Sequence, residues 1–274
     1  MKIAWRRAPL SPEQVRNARI LGVIPARLGS ERLPRKPLYP IAGKPLIEWV
    51  WRRVSSFSVL QRVVVATDAD EIRVTCGAFG AETVLTSPLH RSGTERIAEV
   101  IGRGDYEDFD IVVNVQGDEP FVAEEQVFAA VQQLGLDFDI GTVAAPVGTR
   151  EAWHDPAVVK VVRRADGAAL YFSRSPIPHR RDGEPAEAAL AAAPYLRHIG
   201  IYACTPAVLR RWVMLETTAL ESEERLEQLR ALEGGLTIGV SVVAPTEAGV
   251  DTLTDAQRAA RRLRRDPTAE EAVS

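Results

Sequence analysis

Val23-Ile24-Pro25-Ala26-Arg27-Leu28-Gly29-Ser30-Glu31-Arg32-Leu33-Pro34-Arg35-Lys36-Pro37-Leu38 begins as an apolar run and empties into a loop that carries Arg27, Arg32 and Lys36. A strand that ends in spaced cations suits a polyphosphate, because guanidinium groups grip phosphate oxygens two at a time and lysine adds a mobile point charge. Gly29 and Ser30 supply backbone and hydroxyl donors, and Pro25, Pro34 and Pro37 restrict the chain around the cations. The G-x-x-x-x-G-K-[ST] pattern of a P-loop is absent, and no G-x-G-x-x-G follows the strand, so a dinucleotide-dependent dehydrogenase is not indicated. Taken alone, the loop also fits an ordinary solvated basic turn.

Working outward, β-branched runs at residues 20–24, 62–66 and 111–115 alternate with helical patterns at 46–54, 71–79 and 124–134. That alternation predicts a parallel sheet covered on both faces. Ligands of such sheets lie beyond the carboxyl ends of the strands, where the Arg27 loop and Gln116-Gly117-Asp118 both fall. The texture changes after residue 157: runs at 158–162 and 168–172 flank the turn Ala165-Asp166-Gly167 and predict a hairpin in a smaller inserted lobe. Residues 179–194, with their charges, alanines and prolines, read as a mobile surface excursion. Strands are expected at 199–203 and 237–243, with a helix at 223–232 stopped by Gly234-Gly235. A last helix at 255–264, capped by Thr254, carries Arg258, Arg261, Arg262, Arg264 and Arg265 on what reads as a solvated face.

The bulk numbers narrow the function classes. A length of 274 residues allows one domain, or one domain with a subsidiary lobe. A hydrophobic content of 46% with 26% charged residues is that of a globular protein, and the net charge of -3 argues against a general nucleic-acid binder. Cys76 and Cys204 have no partner pattern, so neither a disulfide framework nor a zinc site can be read from them, and a reducing, cytoplasmic compartment fits. Neither a secretory leader nor a membrane-spanning run is visible.

Among the acids, Asp118 follows an apolar strand at its carboxyl end and suits a divalent metal or, equally, a helix cap. Asp251, in Gly249-Val250-Asp251-Thr252, alone reads as a turn residue. Ser92-Gly93-Thr94 reads as a helix N-cap with Arg96 on the surface, or as donors to a base or phosphate. His198 and Tyr202 read as alternate faces of a strand, Glu227 and Gln228 as an exposed helix face, and Lys160 and Arg163 as strand-edge cations serving solubility.

Ile24-Pro25-Ala26-Arg27, Arg32-Leu33-Pro34, Lys36-Pro37-Leu38 and Gly43-Lys44-Pro45-Leu46 together resemble the opening of sugar-activating cytidylyltransferases. Ser92-Gly93-Thr94-Glu95-Arg96, Asn114-Val115-Gln116-Gly117-Asp118-Glu119-Pro120, Tyr171-Phe172-Ser173-Arg174, Arg197-His198-Ile199-Gly200-Ile201-Tyr202, Leu226-Glu227-Gln228-Leu229-Arg230 and Gly249-Val250-Asp251-Thr252 narrow the resemblance. Over about residues 21–263 the chain is similar to the 3-deoxy-manno-octulosonate (Kdo) cytidylyltransferase family.

The resemblance implies an α/β fold of nucleotide-diphospho-sugar transferase type. Its parts would be an N-terminal extension (1–18), a nucleotide-binding part (19–150), a sugar-binding and dimerisation lobe (151–235), a return to the main sheet (236–266) and a tail (267–274) that reads as disordered. It implies transfer of CMP from CTP to Kdo for lipopolysaccharide biosynthesis by a cytoplasmic homodimer that uses Mg2+. Ala26, Arg27, Arg32, Lys36, Ser92, Gly93, Thr94, Gln116 and Gly117 would meet the nucleotide, with Lys36 and Arg32 catalytic. Asp118 and Asp251 would be catalytic metal ligands, and Arg174, His198, Tyr202, Glu227 and Gln228 would meet the sugar. Three features depart from the family pattern: Arg35 stands where glycine is common, Arg91 where a neutral residue is common, and Leu232-Glu233-Gly234-Gly235-Leu236 lacks an aromatic pair. Those departures leave open a related acid sugar as substrate, and loss of turnover would leave a nucleotide sensor.

Overall fold

The computed structural model describes residues 10–30 and 32–265. In chain order the elements are α1 (Pro12–Asn17), β1 (Ile20–Ala26), β2 (Pro40–Ile41), β3 (Lys44–Pro45), α2 (Leu46–Ser55), β4 (Arg62–Thr67), α3 (Asp70–Ala78), β5 (Thr83–Leu85), α4 (Gly93–Ile101), β6 (Ile111–Asn114) and α5 (Glu124–Gln132). They continue as β7 (Ile140–Pro146), α6 (Arg150–His154), β8 (Lys160–Arg163), β9 (Ala169–Ser173), β10 (Leu196–Cys204), α7 (Pro206–Met214), α8 (Ala219–Glu224), α9 (Gln228–Glu233), β11 (Ile238–Val242) and α10 (Leu253–Leu263). Among the described residues, 19–124 with 246–265 form one compact unit and 10–18 with 125–245 another.

In the first unit β1 lies between β6 and β4, β5 pairs beyond β4, and these three pairings are parallel. Helices on both faces explain why β1 reads as an unbroken apolar run: Leu21, Val23 and Ile24 are fully buried. The register pairs Val23 with Asn114 and Ala26 with Thr67, so the exits of β1, β6 and β4 share one edge. Short ribbon β2–β3 is anchored by Trp49 of α2, whose Nε1 donates to the Ile41 carbonyl at 2.7 Å. The expected parallel α/β sheet is present here.

The second unit is mixed. β11 pairs with β7 in parallel, whereas β10 runs antiparallel to β7, β8 to β10 and β9 to β8. The hairpin expected around residues 158–172 is β8–β9, and its turn places Gly167 at φ +96.

The structure adds to some expectations and corrects others. Part of the N-terminal extension is helix α1, closed by a capping box in which Ser11 and Gln14 exchange side-chain and backbone bonds. Residues 179–194 are tied down: Leu190 is fully buried with Val147 and Trp153, and its carbonyl accepts from Gly148 N at 2.8 Å. One leucine inside an alanine run supplies that anchor. The helix expected at 223–232 is broken into α8 and α9 by Arg225 in the left-handed region, φ 52. Helix α7 follows the Thr205 cap with Pro206 in its first turn, a start signal passed over in the sequence. Helix α10 starts at Leu253 behind Thr252, whose box partner is Asp255, rather than behind Thr254. The tail at 267–274 lies outside the described residues. Cys76 and Cys204 are buried free thiols. Among the described residues no helix is long and apolar enough to cross a membrane.

Candidate active site

At the exit of β1 in the first unit, Lys36 opens a short 3-10 turn that extends to Leu38. Its ammonium donates to Asp118 Oδ2 at 2.5 Å and to Asp251 Oδ1 at 2.9 Å, and Arg32 Nη2 lies 3.0 Å from Asp251 Oδ2. Residues separated by 82 and 215 positions thus meet on one nitrogen. Burial alone would lower the Lys36 pKa, but the Asp118 and Asp251 carboxylates together outweigh it, and the pKa is raised above its ordinary 10.5. An ammonium has three protons, so two bonds to carboxylates leave one for a further acceptor.

The backbone explains the convergence. Val115 N donates to Val23 O at 3.0 Å, which carries the β6 strand pairing to the start of the 116–119 turn. A Cβ on Gly117 would stand 2.8 Å from the Pro25 carbonyl oxygen, so the turn rests directly on β1, and Gly93 packs on the same proline ring. Gly117 thus serves a close approach between two stretches of this backbone. Val250 N donates to Asp118 O at 2.8 Å, and Gly249 lies so close to residues 118–119 that a Cβ would stand 2.9 Å from Glu119 Oε1. Asp251 lies well past β11, which stops at Val242; the acid stands just ahead of the α10 cap, its N–H bonded to Asp255 Oδ2 at 3.3 Å. The signal for this placement, Thr252-x-x-Asp255, is present in the sequence.

Both carboxylates supply hard oxygen donors, and their common contact with one nitrogen keeps the two acids within the reach of a single bridging ion. Among the described residues no three metal-binding side chains cluster anywhere. A pair of carboxylates that leaves the remaining positions to water and phosphate oxygens matches the preference of magnesium.

The other nucleotide-loop residues are placed as follows. Ala26 is buried at the end of β1 and Arg27 is exposed. Gln116 is half-buried in the turn before Asp118. Ser92 caps α4, its Oγ accepting from Glu95 N at 3.2 Å, and Thr94 is buried. Arg96 is not on the surface: it is 2% exposed and pairs with Asp68 at 3.0 Å. Arg35 is held in the left-handed region (φ 57) and pairs with Glu71 of α3, which shows why glycine suits this position. Arg91 turns back onto Glu95, Nη2 to Oε1 2.9 Å.

A second cluster lies in the other unit. His198 and Tyr202 stand on one side of β10, not alternate faces, with ring centroids 5.3 Å apart. A bulge between Ile199 and Tyr202 accompanies this arrangement. Phe172 packs edge-on to His198, and Trp212 edge-on to Tyr202. Burial pushes the His198 pKa down to about 3, so the ring is neutral at pH 7. Burial, with the Glu227 charge second, raises Tyr202 well above its ordinary value and keeps its hydroxyl protonated. Glu227 precedes α9, and Gln228 is buried rather than exposed.

Arg174 is fixed by carbonyl oxygens: Nε donates to Glu224 O at 2.7 Å and Nη1 to Pro156 O at 2.9 Å. Glu224 was not singled out in the sequence, yet its carboxylate accepts from Ser173 Oγ at 2.5 Å and Arg174 N at 2.9 Å. Lys160 is not a solubilising edge cation. It is fully buried and donates to the carbonyls of Asp155, Val158 and Arg174, while Arg163 Nη1 donates to Val240 O at 2.7 Å.

The family model for cytidylyltransferases matches residues 21–238. The chain is 47% identical to the 3-deoxy-manno-octulosonate cytidylyltransferase of Gemmatimonas aurantiaca, over 88% of this chain and 92% of that one. It is also 47% identical to the protein of the same name from Halorhodospira halophila, over 88% and 95%. Among solved structures it is similar to CMP:2-keto-3-deoxy-manno-octonic acid synthetase complexed with CTP, with TM-score 0.81, 37% identity and coverage of 90% and 99%. The inositol-1-phosphate CTP transferase from T. maritima shares the fold at TM-score 0.62 and 13% identity, over 90% of this chain and 97% of that one. With the family matched across most of its length, this chain belongs to the cytidylyltransferases, and within them to the 3-deoxy-manno-octulosonate cytidylyltransferase family.

Proposed function

We propose that this chain transfers CMP from CTP to the anomeric hydroxyl of 3-deoxy-manno-octulosonate, releasing pyrophosphate. The observation that carries the reading is the Lys36 ammonium held between Asp118 and Asp251, with Arg32 on the second acid, at the exit of β1. A triphosphate brings several negative charges to this point. The third Lys36 proton, Arg32 and the exposed Arg27 are the groups that bind it, and they stabilise the charge that grows on the leaving pyrophosphate. Asp118 and Asp251 would hold magnesium, which when bound offsets phosphate charge and acidifies the attacking hydroxyl. In the reaction the anomeric oxygen forms a bond to the α-phosphorus, the bond from that phosphorus to the β-bridging oxygen breaks, and the hydroxyl proton is lost to solvent.

In the other unit the acid sugar is taken by Arg174 at its carboxylate and by His198, Tyr202, Glu227 and Gln228 at its hydroxyls. Neutral His198 and protonated Tyr202 supply hydrogen bonds without net charge, as polyol recognition requires. The protein works as a homodimer in the cytoplasm.

Pyrophosphate release from CTP, measured with a panel of acid sugars and magnesium, tests the reading. Turnover with 3-deoxy-manno-octulosonate is expected. Preference for another acid sugar would move the specificity, and silence with every sugar despite CTP binding would leave a nucleotide sensor.

A further inference from the structure

Thr142 lies in the middle of β7, fully buried, opposite Tyr202 and two residues from Ala144, the direct partner of His198. Paired residues on neighbouring strands point to the same face, so Thr142, His198 and Tyr202 share one. The bulge after Ile199 brings two carbonyls to the threonine hydroxyl: Ile201 O at 2.7 Å and Ile199 O at 3.4 Å. His198 Nε2 stands 2.9 Å from the same oxygen.

A hydroxyl has one proton and two lone pairs. The shorter contact, to a carbonyl that only accepts, takes the proton, so the oxygen faces Nε2 with a lone pair. Two acceptors cannot share that contact, and the ring is neutral, so Nε2 carries the imidazole proton and Nδ1 is left as the acceptor. No hydrogen bond to Nδ1 is present among the described residues.

We infer that Thr142 is a positioning residue that fixes the tautomer of His198, so that Nδ1 accepts a hydrogen bond from a hydroxyl of the acid sugar. The inference rests on the proposed contact between His198 and the sugar; Thr142 itself touches no substrate. In the opposite tautomer Nδ1 would be a donor and would need an acceptor on the ligand in place of a hydroxyl proton. The carbonyls of Ile199 and Ile201 are thus part of the recognition of a polyol, through two intervening groups.

The test uses the full chain with 15N-labelled histidine. His90, His154 and His179 are distinguished from His198 by comparison with the spectrum of His198→Gln. In the wild type the His198 ring is expected to show one protonated nitrogen at Nε2 and one pyridine-type nitrogen at Nδ1, unchanged from pH 8 down to about pH 5. Thr142→Val is expected to average the two ring signals and to raise the KM for the acid sugar roughly three- to tenfold, the range of one lost neutral hydrogen bond. The KM for CTP should stay the same, and Thr142→Ser should restore both properties. A wild-type ring protonated at Nδ1 overturns the inference without any variant, so a poorly folding Thr142→Val does not shelter it. A tautomer that is unchanged in Thr142→Val overturns it as well. If Thr142→Val moves the tautomer but not the sugar KM, while His198→Gln raises that KM, the contact between His198 and sugar stands and the role of Thr142 falls. If neither variant moves the sugar KM, the contact itself is wrong.

Discussion

Gly117→Ala separates space from backbone conformation at the carboxylate site. Gly117 is not at positive φ, so alanine meets no conformational penalty there and gains about 0.4–1 kcal/mol from the stiffer unfolded chain. The obstacle is the Pro25 carbonyl oxygen, 2.8 Å from the new Cβ, with Ile24 Cγ2 at 3.5 Å and Ile47 Cδ1 at 3.6 Å behind it. The last two are ordinary contacts, so the turn has one direction of escape, away from β1. Relief of the oxygen contact needs a shift on the order of 0.5 Å, and overpacking of this kind costs about 1–3 kcal/mol. Net destabilisation of about 1 kcal/mol corresponds to a Tm lower by roughly 2–4 °C for a chain of this size. Asp118 is the next residue and its carbonyl holds Val250, so the shift reaches both carboxylates. A displacement of about 1 Å in a reacting constellation costs about 100-fold, which scales to roughly tenfold in kcat here. The assay is pyrophosphate release at saturating CTP and sugar, alongside a thermal melt. Wild-type kcat with an unchanged Tm would refute the claim that the seat of the turn on Pro25 sets the position of Asp118.

Asp118→Asn and Asp251→Asn should each lower kcat by at least about 100-fold while circular dichroism stays native, because each removes charge from the site and leaves the fold's apolar core intact. Lys36→Met removes the ammonium that the two acids share; titration of the free protein with Mn2+, followed by electron paramagnetic resonance, should show tighter binding by roughly three- to tenfold, and weaker binding would contradict the bridging geometry. Glu99 accepts from Ser87 N, Arg103 and His90; burial alone would raise its pKa, but these donors together bring it from 4.5 to about 2. A depressed carboxyl pKa stabilises the fold above about pH 4.5, and that contribution is lost as pH falls toward 2. Glu99→Gln should therefore cost about 1 kcal/mol at pH 7, with the difference from wild type vanishing near pH 2 in acid melts.

The parallel half of the fold was legible because burial on both faces forces β1, β4 and β6 into uninterrupted apolar runs, and a helix follows each with its own period. What lay beyond local pattern was convergence. Nothing near Asp251 marks it as a partner of Lys36, 215 residues away; the resemblance put both in one site without pairing them, although the Thr252 and Asp255 box that orients Asp251 was in view. Arg35 shows the converse. Its departure from glycine was plain in the sequence, but the reason glycine suits the position is a left-handed φ of 57 that an arginine does not advertise. The break at Arg225 escaped for the same reason, and it matters: by ending α8 there, the chain turns Glu224 toward Ser173 and Arg174 while Glu227 begins the next helix near Tyr202.

The two clusters also differ in how their cations are compensated, which explains why one was easier to read. Lys36 and Arg32 are matched by the carboxylates of Asp118 and Asp251, and their spacing in a loop behind an apolar run drew attention to them in the sequence. Arg174 and Lys160 are held by carbonyl oxygens instead. A carbonyl orients a cation without cancelling its charge. Desolvation lowers the Lys160 pKa, the nearby Asp155 and Glu224 charges oppose it only in part, and the three carbonyls fix the ammonium in place. No local signature distinguishes a cation held by dipoles from one left in solvent, so Lys160 looked like a surface lysine until the carbonyls of residues 155, 158 and 174 were seen to close around it.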